Sequence, residues 1–79
     1  MTGQAVANQL RRISDTAHVS RLWKLSRRSC AVAQLINLNF ATRDISKDEV
    51  SNLVEIIYKS GLTELQARTK AAYLLSNSA

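Results

Sequence analysis

The fold is decided by one stretch of the chain, residues 18–39, which reads HVSRLWKLSRRSCAVAQLINLN. Successive residues of an α-helix are about 100° apart, and at that spacing the apolar side chains of this stretch share one broad face. The pattern predicts an amphipathic helix about 30 Å long, which we expect to be the central element of the molecule. The apolar face comprises Val19, Leu22, Trp23, Leu25, Cys30, Val32, Ala33, Ile36 and the following Phe40.

A shorter helix is predicted before this stretch. Apolar residues at helical spacing indicate a helix over about residues 4–14. Asp15 is a residue type that caps helix N-termini. We therefore expect the chain to break between residues 14 and 17 and the long helix to start at His18.

After the long helix the sequence predicts a helical hairpin. Ser46 and Glu49 have the spacing of a capping box, which indicates a third helix over about residues 46–59. Gly61 suits the left-handed position that follows many helices. The capping pattern recurs at Thr63 with Gln66, and it predicts a fourth helix over about 63–76 followed by a frayed tail. The inward side chains of that helix are expected to be Leu65, Ala67, Ala71, Ala72, Leu74 and Leu75.

Composition supports a single all-α domain spanning residues 1–79. The chain has no proline and two glycines, while 46% of its residues are hydrophobic. So short a chain buries only about 60–65% of its unfolded surface, so we expect a homodimer that shares a core. No apolar run approaches the ~20 residues of a membrane span, and the single cysteine excludes an internal disulfide. We expect a cytoplasmic protein with no membrane association.

The basic residues are concentrated in the first third of the chain. Of eleven lysines and arginines, six precede Ser29, where Asp15 is the only acid, so this part carries the whole net charge of +5. Arg21, Lys24 and Arg28 have i, i+3, i+7 spacing on the predicted long helix, and such a row matches the phosphates of a nucleic-acid backbone. We expect a regulatory protein that binds nucleic acid, duplex DNA in the first place. The predicted binding residues are Arg11, Arg12, Arg21, Lys24, Arg27 and Arg28.

The turn at Gly61 also invites comparison with the helix-turn-helix motif, in which a short turn precedes a recognition helix. Two positions do not fit. The motif requires an inward side chain where this sequence has Lys70, and Leu65 would face the DNA. A plain helical hairpin explains the same residues without conflict, so the basic helix face remains the preferred nucleic-acid site.

A protein partner is the alternative function. The apolar face of the long helix is wider than two short neighbours would cover, so part of it is expected to be an interface. The predicted interface residues are Leu22, Trp23, Leu25 and Ile36, although a core position is the commoner one for a tryptophan. In this case the protein is an adaptor or inhibitor that docks on an acidic or apolar partner.

An enzyme is not expected from this sequence. His18 and Cys30 are the only residues of their kinds, and on one helix they would lie about 18 Å apart. That separation excludes a nucleophile and base pair. Cys30 is expected to be a packing residue on the apolar face. No metal-ligand spacing and no glycine-rich phosphate loop is present, so no cofactor or metal is predicted.

Overall fold

The computed structural model describes residues 1–77 and confirms an all-α fold. It has four helices, α1 Gly3–Val19, α2 Trp23–Asn39, α3 Lys47–Tyr58 and α4 Glu64–Asn77. Helices α1 and α2 form one antiparallel hairpin, and α3 and α4 form a second one that packs mainly on α2. Within the described residues the only β-type pairing is an isolated bridge between Thr2 and Asp44. The sequence predicts a frayed tail over residues 76–79, but Ser76 and Asn77 belong to α4, and residues 78 and 79 lie outside the described part.

The interface between α1 and α2 is lined by small residues. Ala7 and Ala33 are completely buried there. The Ser29 hydroxyl donates a hydrogen bond to the carbonyl oxygen of Leu10, and the Ser14 hydroxyl donates to the carbonyl oxygen of Ser26 at 3.1 Å. Small side chains allow two helices to approach closely, and the serines satisfy their own polar groups inside the contact. This pairing makes the first hairpin.

The break between α1 and α2 lies at residues 20–22, so the prediction of a break at residues 14–17 is wrong. Helix α1 ends in a Schellman motif, in which the N–H of Arg21 donates to His18 O at 3.1 Å and that of Leu22 to Ala17 O at 2.7 Å. Arg21 has a φ of 63°, the left-handed conformation that glycine usually supplies in this motif. Because no glycine or proline occurs at this turn, its position could not be predicted from the sequence.

Moving the break changes the relative lengths of the first two helices. Helices α1 and α2 have 17 residues each, so α2 is central without being longer than α1. Asp15 is an exposed residue within α1 and caps nothing. Arg21 and Leu22 belong to the turn, and Val19 ends α1. The row of cations predicted for one continuous helix is therefore interrupted.

The opposite end of the α1–α2 hairpin is closed by the loop that precedes α3. The N–H groups of Gly3 and Gln4 donate to the carbonyl oxygens of Arg43 and Ala41 at 2.8 and 2.9 Å, and Ala5 N–H donates to the Thr2 hydroxyl. The first three backbone N–H groups of α1 therefore all have hydrogen-bond acceptors. A Cβ atom on Gly3 would lie 1.8 Å from the carbonyl oxygen of Phe40, so only glycine fits at this position.

The second hairpin has the caps that the sequence predicts. Ser46 and Glu49 form a reciprocal capping box at the start of α3, and Thr63 and Gln66 exchange the equivalent two hydrogen bonds at the start of α4. Gly61 has a φ of 82°. Both caps and the left-handed glycine are confirmed.

The core is aliphatic and centres on α2. Leu65 is not part of it, although the sequence predicts an inward position, because α4 turns this residue to the side opposite Ala67 and Ala71. Cys30 is also exposed rather than packed. Residues from all four helices and the α2–α3 loop share the main cluster, which comprises Val6, Ala7, Leu10, Val32, Ala33, Leu35, Ile36, Ile45, Leu53, Ile57, Ala67, Ala71 and Leu75.

Candidate functional site

Cationic and apolar side chains meet at the end of the molecule where α1 turns into α2. Three adjoining cavities lie there, of about 300, 310 and 480 Å³. The cavity of about 480 Å³ shares Trp23 and Lys24 with the first and Leu22 with the second. We call this region the turn surface. It comprises Arg12 of α1, Arg21 and Leu22 of the turn, Trp23, Lys24 and Arg27 of α2, and Tyr58 at the end of α3.

The exposed cations of the turn surface are those the sequence predicts for binding, with one exception. Arg12, Arg21, Lys24 and Arg27 are exposed. Arg27 is paired with Glu64 at 3.7 Å. Arg12, Arg21 and Lys24 form no ion pair within residues 1–77. Arg11 is also exposed on α1 but does not line the three cavities.

Arg28 is the exception. It is only 8% exposed. Its Nε donates to the carbonyl oxygen of Ile57 at 2.8 Å, and its Nη1 donates to that of Leu62 at 3.2 Å. Ile57 is in the last turn of α3, where carbonyl groups have no partner within the helix. Arg28 therefore fastens the α3–α4 turn to α2, and the prediction that it shares an exposed row with Arg21 and Lys24 is wrong.

Trp23 is more exposed than the sequence predicts. Its side chain is not part of the core, and 55% of its surface is accessible. Lys24 Nζ lies 5.6 Å from the centroid of its ring, and Arg27 Cζ lies 5.8 Å from it. These distances are within the range of cation–π contacts. An aromatic ring therefore lies among the cations.

The other predicted interface residues are divided between surface and core. Leu22 is 56% exposed, and Leu25 is half-buried beside it. Ile36 is completely buried in the core, so it offers nothing to a partner. The predicted interface residues that keep exposed surface are therefore confined to Leu22 in the turn and to the first turn of α2. Tyr58, which the sequence did not indicate for this surface, reaches it from α3 and is half exposed.

The start of α2 adds to the positive character of the turn surface. Leu22 occupies the N-cap position but its side chain cannot accept a hydrogen bond, and the first turn of the helix contains no acidic residue. The positive end of the helix dipole therefore lies beside Lys24 and Arg27 without a neutralising group. The other three described helices have side-chain caps, from Thr2, Ser46 and Thr63.

His18 and Cys30, the two residues considered for catalysis, lie on different helices. His18 lies in the last turn of α1, whereas the sequence analysis placed it on the same helix as Cys30. Neither residue lines the three cavities. No group of three potential metal ligands occurs within residues 1–77. No helix in this part of the chain has the length and hydropathy needed to cross a membrane.

Comparisons with known proteins do not add to this picture. No family model matches the sequence, and neither curated proteins nor solved structures show a significant similarity to the chain.

Proposed function

We propose that the chain is a small non-enzymatic regulatory protein that binds nucleic acid through the turn surface. The observation that carries the proposal is the gathering of Arg12, Arg21, Lys24 and Arg27 around three adjoining cavities at one end of the molecule. Arg12, Arg21 and Lys24 form no ion pair within the described residues, and such cations, placed close together, attract a polyanion and release its counterions when they bind it.

The single ion pair of the turn surface does not neutralise it. The side chains of Arg27 and Glu64 are 62% and 50% exposed. An exposed pair of this kind contributes roughly 0–1 kcal/mol to stability, so a phosphate group can replace the carboxylate at little cost. Arginine offers a phosphate two parallel hydrogen bonds.

The conformation of Arg21 also supports the proposal. A left-handed conformation costs a residue with a Cβ roughly 1–2 kcal/mol, and the other described residue with a positive φ is a glycine, Gly61. Strained residues that the fold does not need are often found at functional sites. Arginine at this position extends the cationic surface to the tip of the turn.

The test is a salt titration with two variants of equal charge. The variant R12Q/K24Q removes two cations of the turn surface, and K47Q/K70Q removes two exposed cations elsewhere. Binding of a fluorescently labelled oligonucleotide is measured by anisotropy between about 50 and 200 mM salt. We expect R12Q/K24Q to reduce the slope of log K against log salt by roughly 1.4–1.8, which corresponds to two lost phosphate contacts.

The control decides between a site and general charge attraction. If K47Q/K70Q lowers affinity as much as R12Q/K24Q, net charge alone drives binding and the turn surface is not the site. If wild-type protein binds neither single-stranded nor duplex oligonucleotides at 50 mM salt, the proposed function is wrong.

A second candidate function is the binding of an acidic amphipathic helix. The observation that favours it is the groove of about 310 Å³ between α1 and the end of α3, with apolar Ile13, Leu22 and Leu25 in its lining and Arg12 among them. A helix inserted there would bury apolar side chains and pair its acids with the cations. Under this alternative, Leu22→Gln abolishes binding of a synthetic Leu/Glu amphipathic peptide, while oligonucleotide affinity stays within about twofold because all cations remain.

The homodimer expected from the length of the chain also remains a proposal. Leu65 and Tyr73 on the outer side of α4 are exposed, and an exposed apolar strip on a small domain favours self-association. Sedimentation of wild-type protein and of Leu65→Glu tests it. A monomeric wild-type protein at about 100 μM would rule out a stable dimer.

A further inference from the structure

The aromatic ring of Trp23 is the part of the turn surface that the fold does not use. The core cluster is formed without it, and about half of the side chain faces solvent. Trp23 is the only tryptophan in the chain. A tryptophan buries a large apolar area when it is used for packing, so the exposed part of this ring, beside Lys24 and Arg27, is available for contact with a ligand.

A notch lies against this ring, between the first turn of α2 and the first turn of α4. Its volume is about 300 Å³, near the lower end of the range for small-molecule sites. Trp23 forms one wall, and Lys24, Arg27 and Arg28 bring three cations to it. The remaining lining is Gly61, Leu62, Thr63 and Glu64.

Arg28 gives the notch a fixed positive charge. Because its guanidinium is hydrogen-bonded to the carbonyl oxygens of Ile57 and Leu62, it cannot follow a ligand or move away from one. Lys24 and Arg27 lie on the exposed side of the notch and can reach outward. Arg28 is thus a fixed cation inside the notch, and Lys24 and Arg27 are exposed cations at its opening. This arrangement suits a ligand whose negative charge lies at the opening of the notch.

We propose that this notch accepts an unpaired nucleobase that stacks on Trp23, with the adjoining phosphates held by Lys24 and Arg27, so that the protein prefers single-stranded over duplex nucleic acid. The inference rests on the proposed function and specifies its ligand. A base supplies a flat π-surface for the ring, and the backbone supplies the charge that the three cations attract. In a duplex the bases are stacked on each other, and an acidic peptide has the charge but no base.

The experiment uses the full chain and two labelled ligands, an oligodeoxythymidine of about 12 nucleotides and a duplex of the same length. Anisotropy gives the affinities. In parallel, unlabelled ligand is titrated while the intrinsic fluorescence of the single tryptophan is recorded. We expect tighter binding of the single strand, with quenching of tryptophan fluorescence that saturates at the same concentration as the anisotropy.

Substitutions at two exposed aromatic residues provide the matched comparison. Trp23→Leu should reduce affinity for the single strand about tenfold, within the range found for loss of one base–aromatic stack. Trp23→Phe, which keeps a ring, should recover part of the loss. Tyr73→Leu removes a more exposed ring, nine residues beyond Glu64 on α4, and should change affinity less than twofold. Circular dichroism shows whether each variant is folded.

The outcomes separate this inference from the function on which it rests. If the duplex binds at least as tightly as the single strand and tryptophan fluorescence does not change, the stacking site is wrong while nucleic-acid binding stands. The same conclusion follows if folded Trp23→Leu keeps wild-type affinity. If neither ligand binds at 50 mM salt, both proposals fail.

Discussion

The two ends of the α1–α2 hairpin differ in how far their polar and charged groups are paired within the fold. At one end, the first N–H groups of α1 bond to the loop before α3, and Arg43 pairs with Glu49 at 2.9 Å in a half-buried position. At the other end, the turn has a strained arginine, α2 starts without a side-chain cap, and cations and apolar side chains face solvent. The first end contributes to stability. The second has features that folding does not require, and this is the physical reason for placing the function there.

The largest loss of stability is expected from a substitution at Gly3, at the end of the hairpin where α1 is bonded to the α2–α3 loop. Gly3→Ala places a Cβ against the backbone of Phe40, where it would lie 1.8 Å from the carbonyl oxygen. Backbone atoms cannot rotate away, so α1 and the loop must separate. We expect a loss of about 3 kcal/mol or more in the free energy of unfolding, measured by urea denaturation. Asn8→Ala, an exposed substitution in α1, is the control, and a change below about 0.5 kcal/mol for Gly3→Ala would contradict the described packing.

The next largest loss of stability is expected at Arg28, and it should distinguish Arg28 from its neighbour Arg27 at the turn surface. Arg28→Ala leaves the carbonyl oxygens of Ile57 and Leu62 without their donor. Hydrogen bonds from charged groups are worth about 1.5–3 kcal/mol, so we expect a loss of about 2–3 kcal/mol and faster amide exchange at the end of α3. Arg27→Ala removes only an exposed ion pair and should cost less than about 1 kcal/mol. Equal losses at the two positions would show that Arg28 is not a structural residue.

A smaller effect of opposite sign is expected at the tip of the turn. Arg21→Gly relieves the left-handed conformation and should stabilise the protein by about 1 kcal/mol, which raises Tm by roughly 4–8 °C in a domain of this size. The same substitution should weaken oligonucleotide binding and lower the salt slope by about 0.7–0.9. A gain in stability together with a loss of affinity would establish that stability is given up there for function. If affinity is unchanged, Arg21 is outside the binding site.

The smallest effect is expected at Cys30. The side chain is exposed on α2, outside both the core and the turn surface. Cys30→Ser should therefore leave the free energy of unfolding and the oligonucleotide affinity unchanged within about 0.5 kcal/mol. Thermal denaturation and anisotropy provide the two measurements. A large loss of stability would mean that Cys30 packs inward, as the periodicity of its helix had suggested.

The two hairpins also differ in how much of their structure could be predicted from the sequence. The helical hairpin was predictable because its signals are local: the capping hydrogen bonds of Ser46 and Thr63 connect residues three positions apart. The turn at Arg21 was not predictable, since its motif lacks the usual glycine. With the break misplaced, one apolar face was assigned across two elements, and Cys30 was wrongly assigned to the packed side as a result.

By itself, the sequence determined the all-α class, the caps of the second hairpin and the location of the net charge in the first third of the chain. These depend on composition and on contacts within one helical turn. Only the tertiary structure decided which arginines are available to a ligand and which aromatic ring lies among them. Arg28 is buried against Ile57 and Leu62, whose carbonyl oxygens accept its hydrogen bonds. These two residues lie 29 and 34 positions further along the chain. No periodicity within α2 contains that information, because burial depends on which surfaces meet when the two hairpins pack.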